Sequence, residues 1–150
     1  MNATLQKLEQ FGIVPVVVLD DAADAAPLAK ALCDGGLACA EVTFRTAAAE
    51  ESIRIMTTEY PDMVVGAGTV LTTDQVDRAI AAGAKFIVSP GLDPKIVTYC
   101  LEENIPITPG DSLHQVKSQK RFELGLDVVK FFPAEPSGGL AMIKAVDRTI

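Results

Sequence analysis

Short apolar runs alternate with amphipathic stretches along this chain at a regular interval. Residues 13–19 read Ile-Val-Pro-Val-Val-Val-Leu and predict a buried strand, because they are β-branched and apolar on both faces. The predicted strands after it are 39–45, 63–69, 85–90, 105–109 and 127–132. The predicted helices are 22–32, 47–60, 73–82, 93–103, 112–124 and 138–146, with Thr73 as the N-cap of the third.

Six strand–helix units with short connections indicate a parallel sheet, because parallel neighbours need a crossover element between them. A doubly wound sheet normally has a glycine-rich phosphate loop after its first strand, but residues 19–23 read Leu-Asp-Asp-Ala-Ala. A (β/α)8 barrel instead places polar residues at the C-terminal ends of its strands. Such residues occur here on four strands: Glu41, Thr43, Arg45, Thr69, Ser89 and Lys130. The sequence therefore favours an α/β protein of the TIM-barrel type.

The length limits how much of a barrel this chain can form. A complete barrel typically takes ~250 residues, whereas this chain has 150. We therefore expect a single, incomplete barrel domain over residues 1–150, truncated to about six β/α units.

Composition and charge narrow the expected partners. Thirteen basic and twenty acidic residues give a net charge of −7, which argues against nucleic acid or an anionic membrane as a partner. No apolar run reaches the ~18 residues of a membrane helix, and the first eleven residues lack the apolar core of a signal peptide. The three cysteines show neither a disulfide nor a zinc pattern. We expect a cytoplasmic protein, and the charge does not exclude a small anionic substrate, which needs only one or two local cations.

Lys130 is the strongest candidate for chemistry. It lies in Val-Val-Lys-Phe-Phe, so its neighbours on both faces of the predicted strand are apolar. Burial there would disfavour the ammonium form, and a neutral lysine can attack a carbonyl to form a Schiff base. The competing interpretation, favoured by this local pattern alone, is a strand lysine that is solvated at a barrel end or paired with a carboxylate.

Glu41 is the second candidate. It interrupts an apolar strand and shares one face with Thr43 and Arg45, because alternate residues of a strand point to the same side. A carboxylate and a guanidinium there could transfer a proton and bind a substrate carboxylate. A structural Glu41–Arg45 salt bridge is an equally good interpretation.

Two glycine-containing segments are weaker candidates. Residues 66–69 read Gly-Ala-Gly-Thr and residues 89–91 read Ser-Pro-Gly. Glycine at a strand end allows a ligand to approach the backbone, but simple turns are the favoured interpretation of both segments. His114 has no patterned acid or cysteine around it and is expected to face solvent.

Five segments together resemble one enzyme family, the 2-keto-3-deoxy-6-phosphogluconate aldolases, also described as 4-hydroxy-2-oxoglutarate aldolases. They are Glu-Val-Thr-Phe-Arg-Thr (41–46), Val-Gly-Ala-Gly-Thr-Val (65–70), Ile-Val-Ser-Pro-Gly (87–91), Ile-Thr-Pro-Gly (107–110) and Lys-Phe-Phe-Pro-Ala-Glu (130–135). The resemblance implies that Lys130 is the Schiff-base lysine and Glu41 the general acid/base. It also implies that Arg45, Thr69 and Pro90 line a pyruvate subsite in which Arg45 holds the carboxylate.

The same resemblance implies the reaction and the assembly. We expect a class I lyase of the Entner–Doudoroff pathway that cleaves 2-keto-3-deoxy-6-phosphogluconate to pyruvate and glyceraldehyde 3-phosphate. The alternative substrate of the family, 4-hydroxy-2-oxoglutarate, would give pyruvate and glyoxylate. The family is homotrimeric and needs no metal or other cofactor. We therefore expect a homotrimer that binds neither a metal nor another cofactor.

Two departures from the family keep an inactive protein as the alternative. Family members continue with two more strand units, whose Pro-Thr-Gly-Gly-Ile and Gly-Gly-Ser motifs bind the substrate phosphate. Residues 111–122 lack the Ser-Glu-Ile pattern of the family, and together with residues 147–150 they are consistent with frameshifts. The alternative is therefore a truncated or frameshifted aldolase fragment without activity.

Overall fold

A computed structural model describes residues 2–111 and 124–147. The helices are α1 (Ala3–Phe11), α2 (Ala25–Asp34), α3 (Ala49–Glu59), α4 (Thr73–Ala81), α5 (Pro94–Glu102) and α6 (Gly139–Asp147). The strands are β1 (Val16–Val17), β2 (Cys39–Thr43), β3 (Val64–Gly68), β4 (Gly110–Asp111) and β5 (Lys130–Phe131). The alternation is confirmed for the strands predicted at 39–45, 63–69 and 127–132 and for the helices predicted at 22–32, 47–60, 73–82, 93–103 and 138–146. The helix predicted at 112–124 lies outside the described residues apart from Leu124, and so does His114.

The strands follow one another in chain order and run parallel. β1 pairs with β2 and β2 with β3, with Glu41 opposite Gly66 and Thr43 opposite Gly68. Single parallel bridges then join Ala67 to Ile87 and Ile87 to Ile107, where two longer strands were predicted. β4 pairs with β5, and the Lys130 N–H donates to the Pro109 carbonyl at 2.8 Å. This order of parallel strands is that of consecutive strands in a β/α barrel.

The outer face of the sheet is the main apolar core. Ile53 and Met56 of α3 pack there with Val65 of β3 and with Ile87, all fully buried. Small residues such as Ala29 of α2 allow the helices to approach the sheet closely. This packing holds the strands that carry the polar positions in a fixed order.

Helix α1, which the sequence did not predict, packs at the N-terminal end of the inner face. Leu8 and Phe11 of this helix contact an apolar cluster that includes Cys39 and Phe86. The helix begins at the Asn2 cap, whose Oδ1 accepts from the Thr4 N–H at 2.8 Å. The apolar side chains of α1 therefore cover the N-terminal end of the inner face of the sheet.

Two predictions at the start of elements are wrong. The first strand is not buried along 13–19, because Ile13, Val16 and Val18 are 68%, 50% and 49% exposed, and β1 pairs only with β2 among the described residues. The N-cap of α4 is Thr72 rather than Thr73: its hydroxyl accepts from the Gln75 N–H. No helix in the described ranges is long and apolar enough to cross a membrane.

Candidate active site

An ion pair between Lys130 and Glu41 lies on the inner face of the sheet. The Lys130 Nζ is 3.1 Å from each of the two Glu41 carboxylate oxygens, although the residues are 89 positions apart. The Glu41 side chain is 6% exposed and the Lys130 side chain 29%. The lysine also lies over the ring of Phe132, 5.4 Å from its centroid, where a cation is attracted by the π electrons. The two leading candidates therefore meet, and the partner of Glu41 is Lys130 rather than Arg45.

Gly68 provides the space that the Glu41 carboxylate occupies. A Cβ atom at Gly68 would lie 2.2 Å from Glu41 Oε1 and 2.7 Å from its Cγ. A Cβ at Gly66, on the same face of β3, would lie 2.3 Å from the ring of the buried Phe86. The turn interpretation of these glycines is wrong, because both lie within β3 and each accommodates a larger side chain.

The pair faces a cavity of about 470 Å³ on the inner side of the sheet. Apart from Glu41, Lys130, Thr108 and Glu9, its lining is apolar: Leu5, Leu8, Val14, Val16, Phe86, Val88, Val128 and Val129. An apolar lining with a few convergent polar groups is typical of small-molecule sites. It also strengthens the electrostatic interactions of the charged groups that face it.

The predicted subsite residues Arg45, Thr69 and Pro90 come just after the C-terminal ends of strands or predicted strands. Arg45 is exposed beyond the end of β2, and its side chain has no ion pair with the described residues. Thr69 is half-buried with φ of 57°, which is uncommon for a β-branched residue. Pro90 is exposed, next to Ser89, whose hydroxyl donates to the Gly91 carbonyl at 2.8 Å. None of these three lines the cavity as the described residues define it.

Thr43 is a buried polar residue of the same strand face as Glu41. Its side chain is completely buried, and its hydroxyl has no hydrogen-bond partner within residues 2–111 and 124–147. The sequence placed Thr43 on this face but assigned it no role, and it did not single out Gly68. The signal for Gly68 was present, since two glycines spaced by two in a strand leave one face without side chains.

Groups of three or more metal-ligating side chains do not occur in the part of the chain that the structure describes. The site itself provides an amine that can act as a nucleophile and a carboxylate that can transfer protons.

The fold and the site together define a parallel β/α barrel protein with a lysine–carboxylate pair on the inner face of its sheet. The family described as "KDPG and KHG aldolase" matches residues 4–149, and the chain belongs to this family.

Individual relatives agree with the family assignment. The chain is 47% identical over 148 residues to the 2-dehydro-3-deoxy-phosphogluconate aldolase of Treponema pallidum, covering 99% of this chain and 70% of the relative. The solved aldolase of Zymomonas mobilis with 3-phosphoglycerate matches with a TM-score of 0.84 at 44% identity, covering 91% of this chain and 64% of that one. The aldolase of Legionella pneumophila, captured with pyruvate as a covalent carbinolamine, has a TM-score of 0.85 at 36% identity, covering 91% and 66%. The chain thus spans about two thirds of the length of these relatives.

Proposed function

We propose that the protein is a class I aldolase that binds a 2-keto acid covalently through Lys130. The observation that supports this most directly is the Lys130–Glu41 pair, with both carboxylate oxygens 3.1 Å from the amine nitrogen. The Legionella relative holds pyruvate as a carbinolamine, which is the adduct that an amine forms with a keto group. Relatives named as 2-dehydro-3-deoxy-phosphogluconate aldolases indicate the substrate class.

Glu41 is placed to assist formation of the Schiff base. The Lys130 ammonium must give up one proton before its nitrogen can attack the 2-keto carbon, and the Glu41 carboxylate is within hydrogen-bond distance to accept it. The resulting carbinolamine loses its hydroxyl as water when a proton is returned, which leaves a protonated imine. The nitrogen then withdraws electrons from the adjacent carbons.

Cleavage uses the same carboxylate a second time. Glu41 removes the proton of the C4 hydroxyl, the C3–C4 bond breaks, and its electron pair moves onto the imine as an enamine of pyruvate. The C4 fragment leaves as an aldehyde. The enamine is protonated at C3, and hydrolysis of the imine releases pyruvate and restores the lysine. One carboxylate beside the lysine is sufficient for these transfers.

The finer assignments rest on the family. Arg45 would bind the substrate carboxylate through a bidentate hydrogen-bonded ion pair with its guanidinium, while Thr69 and Pro90 would complete the pyruvate subsite. The substrate would be 2-keto-3-deoxy-6-phosphogluconate, with 4-hydroxy-2-oxoglutarate as a second substrate. We expect a homotrimer, which light scattering would measure directly.

The proposal is tested by following pyruvate release from 2-keto-3-deoxy-6-phosphogluconate with a coupled lactate dehydrogenase assay. We expect Lys130→Met to abolish pyruvate release, because it removes the amine beside Glu41 that forms the imine, and Glu41→Gln to slow it by about 10²- to 10⁴-fold. The matched control is Lys95→Met on α5, which removes an exposed lysine. Equal activity of Lys130→Met and Lys95→Met would contradict the proposal, as would an inactive wild-type protein.

The second candidate is an aldolase fragment without activity. It is favoured by exposed Val16 on β1 and by exposed Phe132 next to β5, since β1 and β5 are each an edge strand of one of the two described sheets. Such surfaces promote association of unpaired strands. Size-exclusion chromatography separates the two: a defined oligomer fits the enzyme, and heterogeneous aggregates fit the fragment.

A further inference from the structure

The Thr43 hydroxyl is a buried polar group for which the structure shows no purpose. It is completely buried and has no hydrogen-bond partner among the described residues. Burying a hydroxyl without a partner is unfavourable, and such groups are rare in folded proteins. A valine would fill the same space without this cost, so the hydroxyl is expected to find a partner in another state of the protein.

The Glu41 carboxylate is a charged acceptor on the same strand face as Thr43. Glu41 and Thr43 are two residues apart on β2, so both side chains point to the inner side of the sheet. The carboxylate extends over Gly68, because a Cβ there would lie 2.2 Å from Oε1 and 2.8 Å from Cδ. Gly68 is the register partner of Thr43. The carboxylate is therefore displaced along the sheet from the level of Glu41 toward the level of Thr43, on the side of the neighbouring strand β3.

The number of protons on the lysine nitrogen explains when the hydroxyl is needed. In the free protein the Lys130 ammonium has three N–H groups and contacts both Glu41 oxygens at 3.1 Å. In a protonated imine the nitrogen has one N–H, because a carbon has replaced the other two hydrogens. At least one carboxylate oxygen then loses its donor while Glu41 remains almost fully buried.

We infer that Thr43 is a positioning residue whose hydroxyl donates a hydrogen bond to the Glu41 carboxylate once Lys130 has become an imine. The hydroxyl donates to the Glu41 carboxylate oxygen that no longer receives an N–H from the lysine. This hydrogen bond keeps the carboxylate in position while the carboxylate transfers protons. This inference rests on the proposed aldolase chemistry. It assigns Thr43 to the steps after imine formation and not to imine formation itself.

The test separates these steps with pyruvate as the probe. Imine occupancy is measured by borohydride reduction and mass spectrometry of the Lys130 peptide. Proton transfer is measured by NMR as the exchange of the pyruvate methyl protons in D₂O. We expect Thr43→Val to keep its adduct yield within about twofold of wild type but to slow exchange about tenfold to hundredfold, as expected for loss of a hydrogen bond to a charged group. Thr43→Ser, which keeps the hydroxyl, should restore exchange to within about threefold of wild type.

Each outcome decides a different claim. Exchange by Thr43→Val at the wild-type rate overturns the inference, and so does a parallel loss of adduct and exchange, which would mean that Thr43 only supports the fold. Failure of Thr43→Ser to restore exchange also overturns it. If the wild-type protein forms no adduct at all, the proposed function fails and this inference fails with it. Thermal unfolding of the three proteins verifies that each is folded during the assays.

Discussion

Replacing Gly68 by alanine should disable the site with a modest effect on the fold. The new methyl carbon would lie 2.2 Å from Glu41 Oε1, 2.7 Å from Cγ and 2.8 Å from Cδ. Non-bonded atoms need ~3.5 Å, so the carboxylate must move by at least about 1.3 Å. Because the Cγ is also too close, the side chain has to rotate as a whole, and the ion pair with Lys130 is lost.

The magnitudes follow from where Glu41 can go. It can turn into the adjoining cavity of about 470 Å³, so the free energy of unfolding should fall by only about 1–3 kcal/mol. Pyruvate release should fall about 10²- to 10⁴-fold, the range expected when a proton-transferring group is displaced. Urea unfolding and the coupled lactate dehydrogenase assay measure the two effects.

Two other glycine variants serve as matched controls. Gly66→Ala places a methyl 2.3–2.4 Å from three ring atoms of the buried Phe86, so we expect it to reduce stability by more than Gly68→Ala does. Gly91→Ala meets no atom within 4 Å and should leave stability within about 0.5 kcal/mol of wild type. Wild-type activity in a folded Gly68→Ala protein would refute the reasoning that Gly68 holds Glu41 against Lys130.

Three further predictions concern charges and thiols. Lys130→Met should lower the free energy of unfolding by about 2 kcal/mol, because it leaves the nearly buried Glu41 carboxylate without its cation. In urea unfolding, the double variant with Glu41→Gln should recover most of this loss, whereas additive losses would contradict the prediction. Hydrogen bonds from Arg78 and, to a smaller extent, from Arg54 hold the pKa of Glu50 below its usual value. Glu50 therefore contributes about 0.5 kcal/mol to the free energy of unfolding above about pH 4.3, and this contribution is lost as the pH falls through the lowered pKa. Thermal unfolding of Glu50→Gln should therefore differ from wild type at pH 7 and converge with it only as the pH falls below the lowered pKa of Glu50, whereas a constant difference would refute the assignment. Burial raises the pKa of the Cys100 thiol to about 11, so at pH 8 only about one Cys100 thiol in a thousand is ionised. Iodoacetamide should therefore label half-buried Cys33 before Cys100, as followed by peptide mass spectrometry, and faster labelling of Cys100 would contradict this prediction.

Most of the strands and helices could be predicted from the sequence, because buried parallel strands and amphipathic helices leave different hydrophobic periodicities. Lys130 and Glu41 were predicted because a charged residue in an apolar strand is costly and so indicates a function or a partner. That they pair with each other could not be predicted, since it depends on the curvature of a sheet that joins positions 89 residues apart.

Other features needed three-dimensional information. The local pattern at 66–69 favours a turn, and only the positions of Phe86 and Glu41 show why these glycines lie within a strand. Helix α1 has a local signal in the sequence, because Asn2 and Gly12 are ordinary helix-capping residues, but its packing under the sheet requires the structure. The exposure of Val16 follows from its edge position, which strand composition does not reveal.

Borohydride trapping with pyruvate tests the central claim most directly. The purified protein is incubated with pyruvate, reduced, digested and analysed by peptide mass spectrometry, with Lys130→Met and Lys95→Met in parallel. The account predicts a single reduced adduct on Lys130 that disappears in Lys130→Met and persists in Lys95→Met. Soluble, folded protein with no adduct, or with adducts spread over exposed lysines, would contradict the claim that Lys130 and Glu41 form a Schiff-base site.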